Sequence, residues 1–358
     1  MSSENAPDLI EVLAYRREPP PSRVYEVLDS DDSESSSDES SDDCIVELHR
    51  VTRLGIHCVN RLINFQSLVL LRIVMQQRPL LKSLAECHVA GDASKEAGCA
   101  RPGSPTALKL VSWNIDGLND KEIQARTLSI CNALNGLEPD VVFLQEVVPS
   151  IVEVVKKHLS RYRYIPGDDK GYFAVTLINK KSVKYISHSI VPFTSTQMDR
   201  HIVCVEATFN GFPLVLMNTH LESMAYSSQV RSIQLRKCFR RCMKEPSDRT
   251  VIFGGDLNLR DSEVASVGGV PDGMLDVWEA CGSSPATRHT WDMSVNDNLD
   301  FGGEQAKPKC RFDRVYVRPS QPPVLVPASF LLTGKERLQH GGCFPSDHWG
   351  LVCCFSHS

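Results

Sequence analysis

Five short segments of the chain place a carboxylate, a carboxamide or an imidazole at the end of an apolar run. In chain order they are Trp113-Asn114-Ile115-Asp116, Leu144-Gln145-Glu146, Thr219-His220-Leu221-Glu222-Ser223, Gly255-Asp256-Leu257-Asn258 and Ser346-Asp347-His348. Polar residues that end several separate strands converge only where a fold builds a site from loops on a rigid scaffold. Taken alone, each segment is also compatible with an ordinary turn or a structural histidine. The ordered set of five therefore predicts one catalytic site.

The residue types in these segments suit hydrolysis of a phosphodiester. Its oxygens are anionic, so a hydrolase needs charge neutralisation, an oriented water and a stabilised leaving oxygen. The segments carry several carboxylates, and a divalent ion such as Mg²⁺ takes oxygen ligands, retains waters and needs few protein ligands. Asp256 follows the pair Gly254-Gly255, which lets backbone and substrate approach closely. We therefore expect attack of an oriented water on phosphorus beside a metal ion.

The elements that must position these segments alternate between strands and helices from residue 107 onward. The predicted strands are 108–113, 140–144, 172–179, 183–190, 201–209, 213–219, 250–253, 312–317 and 349–355, and the predicted helices are 121–134, 149–159 and 228–243. Consecutive strands in the middle with helices on both flanks suit two sheets packed face to face under outer helices. The predicted fold class is α/β, a four-layer α/β/β/α sandwich of two packed mixed sheets.

The chain upstream of this domain has a different composition. Residues 29–43 contain eight acids and seven serines, and without those acids the formal charge would be +3 rather than −5. We expect residues 1–45 to be a disordered acidic, Ser-rich tail, because so polar a segment buries too little apolar surface to offset its ordering entropy. Residues 46–106 are predicted to be a partly helical segment and linker of unknown role, and residues 107–358 the catalytic domain. The nearly neutral remainder argues against a protein that coats duplex DNA and permits a local basic groove.

Three apolar clusters beside acids occur near the tail, at residues 9–13, 24–28 and 45–48. They are similar to SUMO-interacting motifs, which add a strand to an exposed sheet edge. For any single cluster, a solvated acidic tail is the alternative interpretation. The presence of three clusters strengthens the SUMO interpretation relative to that alternative. The most apolar stretch, residues 68–75, is interrupted by Arg72 and is shorter than the ~20 residues of a spanning helix, so no membrane segment is predicted.

The order of the five segments resembles the endonuclease/exonuclease/phosphatase superfamily, whose members have the DNase I-like fold. Within it, the fuller strings at Ser112–Leu118, His220–Ser223, Asp256–Asp261 and Phe344–Leu351 look like the tyrosyl-DNA phosphodiesterase 2 family. This resemblance covers about residue 107 to residue 358. Upstream it fails, because the ubiquitin-associated helix bundle typical of that family is not evident.

The resemblance implies a Mg²⁺-dependent 5′-tyrosyl-DNA phosphodiesterase, with Mn²⁺ as an alternative ion. Such an enzyme hydrolyses the bond between a topoisomerase II tyrosine and a DNA 5′ end, leaving a 5′ phosphate for double-strand break repair. Asp256 would prepare the water, while His348, held by Asp313, would donate to a phosphate oxygen. The implied metal ligands are Asp116, Glu146 and Asp347, and the implied catalytic residues are Asp256, His348, Asn114, Asn258 and Asp313. The implied substrate-binding residues are His220, Leu221, Glu222, Ser223, Leu257, Leu259, Arg260, Tyr172, Arg200, Trp291 and Phe312.

Two alternatives remain open at this point. One is another phosphodiesterase of the superfamily, such as an abasic-site endonuclease, a deadenylase or a lipid phosphodiesterase. The other is a scaffold that reads SUMO or ubiquitin and carries an inactive catalytic-like domain, which the complete set of catalytic residues disfavours. The expected partners are DNA 5′ ends with a tyrosyl or topoisomerase peptide adduct, and SUMO or ubiquitin through the N-terminal region. The expected location is the nucleus and nuclear bodies, with some protein in the cytoplasm.

Overall fold

The computed structural model of the protein describes residues 107–299, 307–339 and 342–358. The predicted acidic tail, its SUMO-interacting motifs and the partly helical segment before residue 107 lie outside the described residues. Within those ranges, no helix is long and apolar enough to cross a membrane.

The described chain folds into strands and helices that are numbered here in chain order. The strands are β1 (Ala107–Asn114), β2 (Val141–Val147), β3 (Tyr162–Pro166), β4 (Phe173–Asn179), β5 (Val183–Pro192), β6 (His201–Phe209), β7 (Phe212–His220), β8 (Thr250–Asp256), β9 (Leu275–Asp276), β10 (Trp291–Asp292), β11 (Lys309–Cys310), β12 (Asp313–Arg318), β13 (Leu325–Thr333) and β14 (Gly350–His357). The α-helices are α1 (Ile123–Leu137), α2 (Val152–His158), α3 (Ser228–Lys244), α4 (Asp261–Ser266) and α5 (Val277–Ala280).

These strands form two six-stranded sheets and a small β10-β11 ribbon. Sheet one has the order β13-β14-β1-β2-β4-β3, and sheet two has the order β5-β6-β7-β8-β12-β9. Each six-stranded sheet contains one parallel pair, β1 with β2 and β7 with β8, among antiparallel neighbours. Both sheets are therefore mixed, as predicted.

Three apolar clusters show how the layers pack. The central one joins residues of sheet one, such as Phe143 and Phe355, to residues of sheet two, such as Leu216. A second cluster packs α1 and α2 against the outer face of sheet one, and a third packs α3 against the outer face of sheet two. β2 and β8 are covered on both faces. Their sequences are therefore nearly continuous apolar runs and do not alternate between apolar and polar residues. The predicted four-layer α/β/β/α sandwich is confirmed.

The predicted elements match the structure except at sheet edges and in the late loops. The sequence-based reading missed β3 and β13, which are the two edge strands of sheet one, and the short elements α4, α5, β9, β10 and β11. β13 carries Pro327 at a register shift, and a proline that interrupts a strand pattern argues against a strand unless it lies at an edge or a bulge. The strand predicted at residues 312–317 begins one residue later, at Asp313.

The two parallel pairs determine where polar side chains meet. β1 and β2 end near Asn114 and Glu146, while β7 and β8 end at His220 and Asp256, which pair with each other. β12 begins at Asp313, directly opposite Asp256 in the antiparallel register. Carboxyl ends of neighbouring parallel strands lie at one edge of a sheet, so this topology brings side chains from both sheets to one end of the sandwich.

Candidate active site

The side chain of Asn114 connects the two sheets at this end. Its Nδ2 donates to Glu146 Oε1 at 3.0 Å in sheet one and to Asp256 Oδ2 at 2.9 Å in sheet two. Its Oδ1 accepts from the backbone N–H of Asp116 at 3.0 Å. One buried carboxamide therefore bonds two of the predicted carboxylates and the backbone of a third predicted residue, Asp116.

The backbone at the site is shaped to bring these groups close. Asp116, Glu146 and Asn258 all have positive φ, at 50°, 58° and 51°. Non-glycine residues rarely adopt this conformation, and where they do they tend to lie at functional sites. Gly117 cannot be replaced without movement, because a Cβ there would lie 1.9 Å from the carbonyl oxygen of Glu146. The two loops that carry Asp116 and Glu146, both predicted metal ligands, are thus in direct backbone contact.

Asp116, Glu146 and Asp347 form a carboxylate cluster with too little positive charge around it. Asp116 is 1% exposed, and burial together with the nearby carboxylates of Asp347 and Glu146 raises its pKa to about 8. The cation beside Asp116 is Arg126, whose Nη1 lies 3.5 Å from Asp116 Oδ2, and His348 interacts with Asp347. Glu146 Oε2 is buried without a hydrogen-bond partner. A buried acceptor left unpaired among carboxylates is costly unless a cation binds it, so these three residues suit a hard divalent ion.

A second group that could hold a cation consists of Asp256, Asp313 and His348, whose ligand atoms lie within 4.8 Å of one another. These atoms already have partners within the protein: His348 Nδ1 is 2.8 Å from Asp313 Oδ2, and Asp256 Oδ2 accepts from Asn114. Asp116, Glu146 and Asp347 are not gathered as tightly, which suits an ion that keeps several waters. The unpaired Glu146 oxygen makes the carboxylate cluster the better cation site.

Asp256 is a buried carboxylate that the site keeps ionised. Burial alone would raise its pKa, but His220 and His348 and the hydrogen bond from Asn114 hold the pKa below its usual value. Its Oδ1 accepts from the backbone N–H of Asn258 at 3.0 Å. Asn258 also donates from Nδ2 to Leu221 O at 3.3 Å, so its amide serves the loop that carries Asp256.

His348 is oriented by Asp313. Burial disfavours the charged imidazole, yet the carboxylates of Asp313, Asp347 and Asp256 raise the pKa of His348 well above its usual value. With Nδ1 bonded to Asp313, the Nε2 edge faces Asp256 Oδ2 at 3.8 Å, which is too far for a hydrogen bond. A protonated His348 therefore has an N–H free to donate to an oxygen placed between the two residues.

One wall of the site contains four of the predicted substrate-binding residues. Arg200 donates to His220 Nδ1 at 3.0 Å and to Ser223 Oγ at 2.9 Å, and its guanidinium lies 4.9 Å from the ring centre of Tyr172. Because arginine only donates, Nδ1 of His220 must accept and Nε2 must carry the proton. That Nε2–H lies 3.3 Å from Asp256 Oδ2. His220 thus presents a donor beside the proposed base.

The opposite wall consists of the three other aromatic and basic residues that were predicted. The Arg260 guanidinium lies 5.4 Å from the ring centre of Phe312, which is 5.5 Å from the ring of Trp291. Trp291 Nε1 donates to Asp347 Oδ2 at 3.2 Å. Two arginine–aromatic pairs therefore flank the catalytic residues, a composition suited to bases and phosphates.

Four of the predicted substrate contacts are instead buried supports. Leu221, Leu257 and Leu259 are each 0% exposed and belong to the core beneath sheet two. Glu222 is also 0% exposed, and its carboxylate accepts from Gln234 Nε2 at 3.0 Å and from the backbone N–H of Gln197 at 2.7 Å. The structure therefore places these four side chains in the interior, and their assignment to substrate binding stays a prediction.

Sequence reasoning missed two features that hold the site. Arg126 on α1 is 1% exposed, and its guanidinium donates to the carbonyl oxygens of Ile115, Asp116 and Pro345. Gln145 Nε2 donates to Asn218 Oδ1 at 2.8 Å across the sheets, below the catalytic residues. The usable signal was a carboxamide inside an apolar strand run, since a buried amide requires partners.

Comparison with known proteins shows the family of this chain. The model of the Endonuclease/Exonuclease/phosphatase family matches residues 111–348. Tyrosyl-DNA phosphodiesterase 2 of Danio rerio is 42% identical over 251 residues, which cover 70% of this chain and 67% of that protein. The Homo sapiens protein of the same name is 42% identical over 247 residues, with 69% and 67% coverage.

Solved structures give the same result. A crystal structure of D. rerio TDP2 complexed with single strand DNA product aligns at a TM-score of 0.68 and 41% identity, covering 70% of this chain and 99% of that one. A truncated Caenorhabditis elegans TDP2 aligns at a TM-score of 0.63 and 35% identity, covering 70% and 97%. The chain belongs to the Endonuclease/Exonuclease/phosphatase family of metal-dependent phosphodiesterases, in its tyrosyl-DNA phosphodiesterase 2 branch.

Proposed function

We propose that this protein is a Mg²⁺-dependent 5′-tyrosyl-DNA phosphodiesterase, with Mn²⁺ as an alternative ion, that releases topoisomerase II tyrosine from DNA 5′ ends and leaves a 5′ phosphate. The observation that carries the proposal is the side chain of Asn114, which spaces Glu146 and Asp256 at 3.0 and 2.9 Å. In this proposal Glu146 holds the cation, Asp256 orients the water, and the phosphorus of the substrate lies between them.

Asp256 orients the attacking water. Its depressed pKa keeps it a hydrogen-bond acceptor at neutral pH, and its two oxygens are fixed by Asn114 and by the backbone of Asn258. A carboxylate so acidic is a weak thermodynamic base, so its main contribution is to align the water and to accept the proton as the P–O bond forms.

His348 and His220 stabilise the negative charge that grows on the phosphoryl oxygens. His348 donates from Nε2 while Asp313 holds Nδ1, and His220 donates from Nε2 while Arg200 holds Nδ1. Both donors are fixed before the reaction, which is the condition under which such groups lower a barrier most. The tyrosine phenolate, with an ordinary pKa of about 10, leaves without strong general-acid help.

Mg²⁺ would be held by Glu146, Asp116 and Asp347, and when bound it supplies charge neutralisation to a phosphate oxygen. Asn119 Nδ2 and Arg126 hold Asp116 in place for this role, and Trp291 holds Asp347. Arg200 with Tyr172 and Arg260 with Phe312 would take the DNA strand on either side, since aromatic rings stack on bases and arginine pairs with phosphates.

Cleavage of a 5′-phosphotyrosyl oligonucleotide, with and without EDTA, tests the proposal. We expect release of tyrosine, a 5′-phosphate product, and full loss of turnover in EDTA that returns with Mg²⁺. An abasic duplex, a polyadenylate strand and a phosphoinositide serve as competing substrates. Preferential cleavage of any of these three would assign the protein to another activity of the family, and no cleavage of any substrate would favour a scaffold role.

We also propose that the N-terminal region binds SUMO or ubiquitin and that the protein acts in the nucleus and its bodies, with some in the cytoplasm. Three apolar clusters beside acids at residues 9–13, 24–28 and 45–48 support the first part. Deleting residues 1–50 should leave hydrolysis of a short oligonucleotide nearly unchanged while weakening binding to SUMO chains. Full chain binding after the deletion would exclude these clusters as the binding segment.

A further inference from the structure

A basic groove lies at the end of the sandwich opposite the active site. Two neighbouring cavities, of about 440 and 690 Å³, share Arg163 and Lys180 in their walls. Lys156 lines the first cavity, and Lys181 and Lys184 line the second. No acidic residue lines either cavity. We call these five cations and the two cavities between them the distal groove.

The position of the distal groove follows from the strand register. The turn of residues 180–182 leads from β4 of sheet one to β5 of sheet two. Ser182 Oγ donates to Asp140 Oδ1 at 2.5 Å, so the turn lies at the start of β2, whereas Glu146 lies at its other end. Seven residues at ~3.3 Å each separate the groove from the active site by roughly 20 Å.

The charge of the distal groove is largely uncompensated. Arg163, Lys180, Lys181 and Lys184 form no ion pair within 4.0 Å in the part of the chain that the structure describes, and all four are exposed. Lys156 alone has an acidic partner, Glu153, at 3.2 Å. So many like charges around a concave surface attract a polyanion and repel other cations.

The surface that the groove presents combines positive charge with half-buried aromatic rings. Its apolar lining residues, such as Leu159, Leu177 and Ile178, are at most 2% exposed. The aromatic rings beside it are covered by cations, Arg163 at 4.3 Å from the ring centre of Tyr185 and Lys156 at 5.3 Å from that of Tyr164. A phosphate backbone is bound chiefly by positive charge, and the two cavities are lined by five cations and no acidic residue.

We propose that the distal groove binds the phosphate backbone of the same DNA strand whose 5′ end enters the active site. This inference rests on the proposed function for the identity of the strand. At 3.4 Å per charge, roughly 20 Å corresponds to a minimum of about six nucleotides, because the strand must run over the surface rather than along the buried β2. Strands shorter than that reach only the active site, and longer ones engage both sites. The groove therefore makes affinity depend on strand length.

The test measures binding of fluorescent single strands of four and of twenty nucleotides to the full-length chain in EDTA. The variant K180E/K181E/K184E should weaken binding of the longer strand at least ~10-fold and reduce the salt slope of binding by about 2, because each lost single-strand phosphate contact lowers it by about 0.7. Binding of the four-nucleotide strand should not change. The neutral variant K180Q/K181Q/K184Q, which is less perturbing to the fold, should show a smaller loss in the same direction.

The matched control is R236E/R240E/K244E, which makes the same change of charge on three exposed residues of α3. An equal loss in this control would show that only the overall field matters and would overturn the proposal. Unchanged binding of the long strand would also overturn it. So would a groove variant that still binds the long strand but no longer binds an acidic peptide that the wild type binds. Cleavage of a four-nucleotide 5′-phosphotyrosyl substrate tests the proposed function separately, since that substrate does not reach the groove.

Discussion

Replacing Asp313 with asparagine removes one charge and little volume from the active site. Asp313 is 1% exposed and its Oδ2 lies 2.8 Å from His348 Nδ1. An asparagine at this position can still accept from Nδ1–H, so the imidazole keeps a partner but loses the carboxylate that stabilises its charged form. If His348 acts as a cation, the variant should have a slower chemical step, and its activity should be lost at a lower pH than that of the wild type.

The size of the effect follows from the geometry. A hydrogen bond to a charged group contributes about 1.5–3 kcal/mol, and one pKa unit corresponds to about 1.4 kcal/mol, so the pKa of His348 should fall by roughly 1–2 units. Asp347 and Asp256 also raise this pKa and remain in the variant, which keeps the fall from being larger. The loss of an oriented donor should lower the rate of the chemical step by ~10².

Single-turnover cleavage of a 5′-phosphotyrosyl oligonucleotide, followed from neutral to alkaline pH, measures both quantities. Because the protonated imidazole is the active form, activity is lost as pH rises through the pKa of His348, and a lower pKa moves this loss to lower pH. Asp292→Asn is the matched control, since that carboxylate accepts from Ser294 and does not contact His348. An alkaline limb at the same pH in Asp313→Asn and wild type would refute the assignment of His348 as a charged donor.

Three further predictions concern the rest of the site and its support. Asp256→Asn and His348→Ala should each slow the chemical step by at least ~10², and the double variant should lose less than the product of the two factors, because both act on one transition state; strict multiplicativity in single-turnover assays would contradict this. Glu146→Gln and Asp116→Asn should each raise the half-saturating Mg²⁺ concentration about 10-fold or more, against the exposed control Asp120→Asn, and an unchanged Mg²⁺ titration would remove these residues from the metal site. Glu263→Gln should lower the free energy of unfolding at neutral pH by about 3 kcal/mol, because it leaves the fully buried Arg231 without the carboxylate 2.6 Å away. Although burial opposes it, the hydrogen bond from Arg231 holds the pKa of Glu263 below 4.5, so this stabilisation is complete above that pH and is lost as pH falls through the lowered pKa; urea unfolding at neutral and acid pH would show the variant's deficit shrinking, and a constant deficit would argue against the ion pair as its cause.

The convergence of the five polar segments was predictable because each follows an apolar strand. Apolar runs such as those before Glu146 and Asp256 are specific to buried strands, and strand ends are where sites assemble. Residue type and order then suffice to predict the chemistry. The hydrogen-bond partner of each catalytic side chain was harder to predict from the sequence. The exception is the pair of Asp313 and His348, which the resemblance to a known family implied.

The supports of the site were not predictable for a physical reason. Arg126 belongs to a helix in which a basic residue normally indicates a solvent-exposed face, yet it is 1% exposed because its guanidinium satisfies carbonyl oxygens of the Asp116 loop. Leu257 and Leu259 were predicted to contact substrate, but their side chains are buried. They flank Asn258 in sequence, and their side chains point into the core beneath sheet two. Neighbours in a motif need not share its exposure.

The site is built from contacts between residues that are far apart along the chain. Trp113 Nε1 donates to His348 O across 235 positions, and Ser346 Oγ donates to Asn114 O across 232. Such contacts can form only after the two ends of the domain have come together, which closes a long loop. A nascent or partly unfolded chain therefore contains all of the site residues, but they are not yet arranged as a site. Phosphodiesterase activity is therefore withheld until the last strands have docked, and an incompletely folded copy lacks it.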